Sequence, residues 1–551
     1  MIIGKKPPRP HAPGEPLLYP DHPVPRTRRE FLAAGMISGG GMVIGPAWLG
    51  ALLKANRANA GTGQITLSND INALTQNGQC NAQHAAGSIP FICFDLAGGA
   101  NLVGSEVLVG VQGGQSNFLS TAGYGRLGVP GSMVPSSSAN IDASLGLLWH
   151  ADGAIKRGIL SKATTAATAA GTNGAVFCAQ SQNDTQENPH NPMYAIALAG
   201  AQGQLMTLCG TESSVSGGNS IAPMMYINPA LQPTTIDQPS DATGLVSTGG
   251  ASADPLSVAV QESQARISSG TALWDGTTNT AFTGALAAPN GSTPGVQILP
   301  NSASTPGGPT DATIKNQVRC AYVQSAYTTA MFGNPAALDP TQDPLITGGS
   351  APIFTPSDFQ DNDIAATATV MKLVIDGYAG AGTIAMGGFD YHDGTRATGE
   401  TRNFKAGQMI GAVLEYAQRK GVPVMVYVFS DGSLTSTGMP DNSAAGRGKL
   451  GWQGDNQQVA STFFLAYSPK GRPTLRNGVA GQQIGYFSSD GNVVGTSSPV
   501  ANNVTSLVQA VVLNYMGLLG TDANFANVFA PYGGQSLGSS LGSLTAFNPI
   551  V

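Results

Sequence analysis

The sequence is poor in charged residues, and its positive charges are not clustered. Charged residues make up 11% of the 551 residues, whereas about 25% is usual in soluble proteins. The formal net charge is −6, and no stripe of lysine and arginine occurs after residue 60. Because nucleic-acid surfaces need clustered positive charge, we expect no nucleic-acid partner.

Cysteine and histidine are also scarce. The five cysteines are scattered without any Cys-x-x-Cys spacing, which argues against a structural zinc site. Cys93 and Cys178 lie in apolar runs, and we interpret both as buried thiols. Only four histidines follow residue 60, so a histidine-dependent site has few candidates; they are His84, His150, His190 and His392.

The amino-terminal 60 residues predict export. Residues 26–32, Arg-Thr-Arg-Arg-Glu-Phe-Leu, follow the twin-arginine signal pattern of paired arginines, one variable residue and two apolar residues. An uncharged and mildly apolar stretch, residues 33–53, comes next, and Ala58-Asn59-Ala60 supplies small residues for signal peptidase. The proline-rich residues before the arginines are expected to be disordered.

We therefore predict that residues 1–60 are a twin-arginine signal peptide. The twin-arginine translocase would then be a partner during export, and the mature protein would lie in the periplasm or at the cell exterior of a bacterium. The stretch after the arginines is too weakly apolar for a permanent anchor, which needs about 20 strongly apolar residues. No permanent transmembrane helix is expected, and an uncleaved amino-terminal anchor is the alternative.

Beyond residue 60, short apolar runs alternate with segments of helical spacing. The 73 glycines and 36 prolines indicate many loops, and we predict one α/β domain over residues 61–551 with an irregular insertion or cap at 213–301. Strand, helix, strand alternation is typical of a parallel sheet with crossover helices. The predicted strands are Pro90–Asp95, Ala175–Ala179, Thr383–Met386 and Val422–Phe429, and the predicted helices include Ile364–Tyr378, Phe404–Arg419 and Val504–Leu519.

Polar side chains follow the predicted strands, at the edge where ligands bind in an open parallel sheet. Carboxylates and imidazoles are common ligands of divalent ions. The sequence therefore predicts a site for a divalent metal, which would be zinc, manganese, magnesium or calcium. Its candidate ligands are Asp390, His392, Asp431 and Asp95. Asp390 with His392 is the best pair, because histidines are few and this one lies between two acidic residues in a strand-end loop. The alternative for each aspartate, taken alone, is that it stabilises a turn and binds no metal.

A second polar loop follows the strand at Ala175–Ala179. Ser181, Thr185 and His190 are its candidate catalytic residues, because a hydroxyl near a histidine is the usual arrangement of an activated nucleophile. No Gly-x-Ser-x-Gly motif marks a nucleophile elsewhere. The alternative is that this loop only caps helices and turns through its Asn, Asp and Thr side chains.

The segment Gly387-Gly388-Phe389-Asp390-Tyr391-His392, followed by a helix and by a strand ending Phe429-Ser430-Asp431, resembles the exported branch of the alkaline phosphatase and sulfatase superfamily. Members of that branch carry twin-arginine signals, Gly-Gly-Phe-Asp-Thr-His and a later Phe-Ser-Glu-Phe-Gly-Arg. The likeness extends to residues 95–99 and implies a doubly wound, mostly parallel α/β sheet with helices on both faces. It also implies metal-ligand positions at Asp390, His392 and Asp431.

The sequence departs from that family after the fourth strand. Gly432-Ser433-Leu434 stands where the family has an arginine, and the family's later Asp-His-Gly has no counterpart. Residues 451–456 occupy about that place and contain Asp455 but no histidine. A complete two-metal site of the family's type would need more histidines than this chain has there.

Three functions are compatible with these patterns. The first is an exported metal-dependent hydrolase of phosphate or sulfate esters, with a small-molecule ester as substrate. The second is a non-catalytic binding or assembly protein of the periplasm or cell surface, on the same fold and with an eroded ligand set. The third is a carbohydrate-active protein on a different fold, which the polar loops alone suggest.

Overall fold

The computed structural model of the protein describes residues 67–76, 89–181, 190–211, 222–228, 231–245, 262–265 and 335–551, together with residues 319, 322, 323, 326 and 327. All of these belong to one structural unit, Gln64–Val551. The predicted signal peptide and the candidate Thr185 lie outside the described residues, as does most of the predicted insertion at 213–301.

Eight strands form the central sheet, and four more form two small antiparallel pairs. In chain order the strands are β1 Phe91–Leu96, β2 Ile141–Asp142, β3 Trp149–His150, β4 Thr172–Phe177, β5 Met206–Gly210, β6 Thr234–Thr235, β7 Ala379–Met386, β8 Val424–Phe429, β9 Leu434–Pro440, β10 Leu450–Asp455, β11 Thr462–Tyr467 and β12 Gln483–Ile484. The small pairs are β2 with β3 and β9 with β10.

The central sheet has the strand order β12-β4-β11-β8-β1-β7-β5-β6. All of its pairings are parallel except those of β11, which runs antiparallel to both of its neighbours, β4 and β8. The prediction of a mostly parallel sheet is confirmed. The short edge strand β6 comes from the region that we predicted to be an irregular insertion, so part of that region completes the sheet.

Helices cover both faces of the sheet. In chain order the α-helices are α1 Asn69–Gln76, α2 Thr121–Arg126, α3 Ala154–Lys162, α4 Ala166–Ala170, α5 Met193–Leu198, α6 Pro239–Gly244, α7 Pro344–Thr347, α8 Asn362–Ile375, α9 Ala397–Lys420, α10 Val504–Leu519 and α11 Phe525–Phe529. Within the part of the chain that the structure describes, none of the helices is long and apolar enough to span a bilayer.

The alternating side chains of each central strand enter two separate cores. Along β8, Val424, Val426 and Val428 pack in the core that contains α3, α8 and α9. Met425, Tyr427 and Phe429 pack in the core that contains α5, α10 and α11. Burial on both faces explains why this strand is a continuous apolar run rather than an alternating one. The thiols of Cys93 and Cys178 are buried, as predicted.

The largest differences from the predicted bounds are at the starts of β7 and α9, which both begin earlier than predicted. Strand β7 starts at Ala379 with the residues Ala-Gly-Ala-Gly, which have little β-propensity but are buried between β1 and β5. Helix α9 starts at Ala397, and its first two turns are polar, so they lack the apolar spacing that marks a helix. Its end is as predicted, because Gly421 takes the left-handed conformation with φ 68°.

Candidate functional site

The loop after β7 places two polar side chains outward and two aromatic side chains inward. Asp390 and His392 are exposed, while Phe389, which precedes Asp390, and Tyr391, which lies between the two, are buried. The Tyr391 hydroxyl donates to Asn403 Oδ1 at 3.0 Å and accepts from the Asn101 backbone N–H at 3.0 Å. These inward contacts hold the segment extended, so that Asp390 and His392 project from the same side.

The loop after β1 approaches this segment very closely at Gly98. Gly98 has φ +123°, and a Cβ atom there would lie 2.5 Å from the Asp390 backbone nitrogen. Such a conformation and such a contact both require glycine. The Phe389 N–H also donates to the Ala97 carbonyl at 3.1 Å. The position of Asp390 therefore depends on the glycine that follows β1.

Asp390, His392 and Asp455 converge on one point at the carboxyl end of the sheet. Their ligand atoms all lie within 4.8 Å of one another. His392 Nε2 is 2.6 Å from Asp390 Oδ1 and 3.9 Å from Asp455 Oδ1. The Asp390, His392 and Asp455 side chains are 63%, 40% and 42% exposed, so an ion and a substrate could both reach them.

The donor set suits a divalent cation. Two carboxylates and one imidazole form a mixed oxygen and nitrogen set, and three protein ligands leave further positions open, as catalytic metal sites require. No other group of three or more His, Cys, Asp and Glu side chains converges in this way among the described residues. The arrangement fits one ion rather than two.

An open cavity of about 410 Å³ adjoins this group. Asp455 belongs both to the cavity wall and to the cation group. The other lining residues are Gly432, Ser433, Asn456, Gln457 and Gln458. The cavity therefore offers a place for a ligand whose reacting part would lie at the three side chains.

The other two predicted ligands, Asp431 and Asp95, lie elsewhere. Asp431 is buried, and its Oδ1 accepts from the Gly98 N–H at 2.9 Å, which links the loop after β8 to the loop after β1. Asp95 is buried within β1, where its Cα pairs with Ala385 on one side and Phe429 on the other. Neither belongs to the group formed by Asp390, His392 and Asp455.

The candidate catalytic residues Ser181 and His190 are buried, and neither lines the cavity. The Ser181 N–H donates to the Gln457 carbonyl at 3.3 Å. The His190 ring is stacked on Phe429, with centroids 6.2 Å apart and an interplanar angle of 5°. Burial lowers the pKa of His190 to about 3, so its imidazole is neutral at physiological pH and is a weak base.

A buried group of charged side chains anchors the start of α9, next to the loop that carries Asp390 and His392. Arg396 Nε donates to Glu400 at 2.9 Å, and Lys449 Nζ donates to the same carboxylate at 2.7 Å. The Arg396 guanidinium also lies 4.5 Å from the centre of the Trp452 ring. Burial raises the pKa of Glu106, which accepts from Asn403 at 3.0 Å.

Sequence reasoning missed Asp455 as a member of the group with Asp390 and His392, and it missed this buried charge group. The signal for Asp455 was its place in the segment that occupies the position of the family's Asp-His-Gly. For the charge group, the spacing of Arg396 and Glu400 by four residues was a local signal of a helix pair. Nothing in the local sequence indicated that Lys449 would join them.

Comparisons with models of protein families, with curated proteins and with solved structures give no match for this chain. An α/β sheet with helices on both faces supports many unrelated functions. Any inference about function therefore depends on the geometry and chemistry of the site itself.

Proposed function

We propose that the protein is an exported metal-dependent hydrolase of phosphate or sulfate esters, and a divergent member of the alkaline phosphatase and sulfatase superfamily. Asp390, His392 and Asp455 would hold one divalent cation. The observation that carries the proposal is the convergence of these three side chains at the rim of the cavity. In this proposal Asp455 is the third ligand, and the predicted ligands Asp431 and Asp95 are not part of the group.

The three side chains have distinct roles in this proposal. Asp390 and Asp455 supply two negative charges that balance the ion, and His392 supplies a neutral nitrogen donor. A cation held in this way polarises an ester oxygen and favours ionisation of water. The buried contacts of Tyr391 and the close approach of Gly98 keep Asp390 in place.

The predicted export signal agrees with this function. Twin-arginine export carries folded proteins, so a metal could be inserted in the cytoplasm before export. The ligands come from two loops that are far apart in sequence, after β7 and at the end of β10. Such a site forms only in the folded chain, and metal binding would stabilise that chain.

A non-catalytic binding or assembly protein is the second candidate. It is favoured by the lack of any lysine or arginine among the residues that line the cavity, because an anionic ester is usually held by such side chains. The presence of only one cation group among the described residues also agrees with a reduced site.

Metal analysis of the periplasmic protein tests the proposal. We expect about one divalent ion per chain, since the described residues contain one such group, and we expect hydrolysis of nitrophenyl phosphate or nitrophenyl sulfate. Asp390→Asn and His392→Gln should lose both properties. Asp393→Asn is the matched control, because Asp393 is exposed in the same loop but accepts hydrogen bonds from Thr395 instead of joining the group.

Two results decide between the candidates. A metal content below about a tenth of an ion per chain, unchanged in both variants, would rule out a metal-dependent hydrolase, because the site would not be a cation site. A full metal content without hydrolysis of either ester would favour the binding protein.

A further inference from the structure

The cavity beside Asp455 has a neutral, amide-rich wall. Asp455 is its single ionisable lining residue, and the other polar side chains are Ser433, Asn456, Gln457 and Gln458. Gln457 and Gln458 are exposed, and their amide groups make no hydrogen bond to the rest of the described chain. The two carboxamides belong to residues that line the cavity, and both their donors and their acceptors are available to a ligand there.

The backbone that carries these amides is held at several points. Asn456 Oδ1 accepts from the Gln458 N–H at 2.9 Å, and the Asn456 N–H donates to the Ser433 carbonyl at 2.7 Å. The Gln458 carbonyl accepts from the Val493 N–H at 2.8 Å. The backbone of this wall therefore loses little conformational entropy when a ligand binds, whereas the exposed Gln457 and Gln458 side chains each lose rotamer freedom.

The chemistry of this wall selects for hydroxyl groups. A carboxamide donates and accepts hydrogen bonds on adjacent atoms, and so matches a pair of neighbouring hydroxyls, each of which can also do both. The lining contains no lysine or arginine, so this wall has no side chain that would pair with an anionic group. The volume, about 410 Å³, lies within the range of small-ligand sites of about 300–1,000 Å³.

We propose that this cavity binds a neutral, hydroxyl-rich group, namely a saccharide unit. Placing that unit as the alcohol part of the hydrolysed ester rests on the proposed function, since the ester would then lie at Asp390, His392 and Asp455. Saccharide binding itself needs only the cavity.

Binding of neutral oligosaccharides to the metal-free mature protein tests the inference. Maltotriose, cellotriose and diacetylchitobiose serve as probes, with saturation-transfer NMR for detection and calorimetry for affinity. We expect at least one probe to bind. Gln457→Leu and Gln458→Leu should each weaken binding by about fivefold, which corresponds to about 1 kcal/mol for one hydrogen bond.

Gln453→Leu is the matched control, because Gln453 is an exposed glutamine on β10 that does not line the cavity. It should leave the affinity unchanged. Circular dichroism of the three variants verifies that each one folds.

The inference is overturned if no probe gives saturation transfer, or if both cavity variants bind as the wild type does. Its failure is separable from that of the proposed function. Metal binding and ester hydrolysis without saccharide binding would overturn only the saccharide site. Glutamine-dependent saccharide binding without metal or hydrolysis would overturn only the hydrolase.

Discussion

His190 should make the protein less stable in mild acid, and replacing it with leucine should remove that effect. The side chain is 1% exposed and stacked on Phe429. Burial lowers its pKa from 6.5 to about 3. The folded protein therefore keeps this imidazole neutral at pH 5, whereas the unfolded chain takes up a proton as the pH falls through 6.5.

The sign of the effect follows from proton uptake. Between the folded pKa of about 3 and the unfolded value of 6.5, the unfolded chain binds more protons, so acid favours unfolding. The stabilisation is fully present above the unfolded pKa and decreases as the pH falls toward the folded pKa. Between pH 7 and pH 5 the free energy of unfolding should decrease by about 2 kcal/mol through this one side chain, at about 1.4 kcal/mol per pKa unit.

Urea unfolding at the two pH values measures this quantity for the wild type and for His190→Leu. The wild type should lose about 2 kcal/mol more than the variant, and comparing the two chains cancels the contributions of all other titrating groups. Met193→Leu is the control, because Met193 is a buried, non-titrating neighbour in α5 and a similar-sized apolar replacement changes stability equally at both pH values.

Equal losses in the wild type and in His190→Leu would refute the argument. The imidazole would then accept a proton in the folded protein, and His190 would again be a candidate catalytic base. A loss confined to the wild type would instead exclude it from acid–base chemistry at neutral pH.

Two further substitutions test the support of the site. Gly98→Ala should lower the free energy of unfolding by about 2 kcal/mol or more and weaken metal binding, because its Cβ would lie 2.5 Å from the Asp390 nitrogen. Gly421→Ala is the control, because Gly421 also has a positive φ but has nothing within 4 Å of its Cβ position, and this variant should keep its metal affinity in a titration. Equal metal affinities for the two variants would contradict the argument. Lys449→Met should lower the free energy of unfolding in urea by about 3 kcal/mol, because it removes a buried ammonium 2.7 Å from Glu400. A decrease below about 1 kcal/mol would mean that Arg396 and Arg157, which both pair with this carboxylate, balance its charge without the lysine.

Much of the fold could be predicted because its signals are local. The apolar runs of β1 and β8 and the periodicity of α10 lie within single segments, and α10 has the bounds that its periodicity predicted. The starts of β7 and α9 could not be predicted in the same way. Their residues are small or polar and become buried only through partners from other segments, such as the bond from Tyr391 to Asn403 in α9.

The candidate site could also be predicted only where its residues are close together in the sequence. Asp390 and His392 are two residues apart in an extended loop, so their pairing follows from the chain itself. Asp455 reaches them only because β10 pairs with β9, which places Asp455 opposite Leu434 just after β8. The burial of Asp95, Asp431 and His190 likewise depends on neighbouring strands and loops.

The sequence by itself determined the class of fold, the edge of the sheet where polar residues gather, and the pairing of Asp390 with His392, because periodicity and short spacing act within a few residues. The tertiary structure decided which carboxylate completes the group, which of the predicted residues are buried, and which amides line the cavity beside it. Those outcomes depend on contacts between segments that are far apart along the chain, and local sequence patterns carry no information about such contacts.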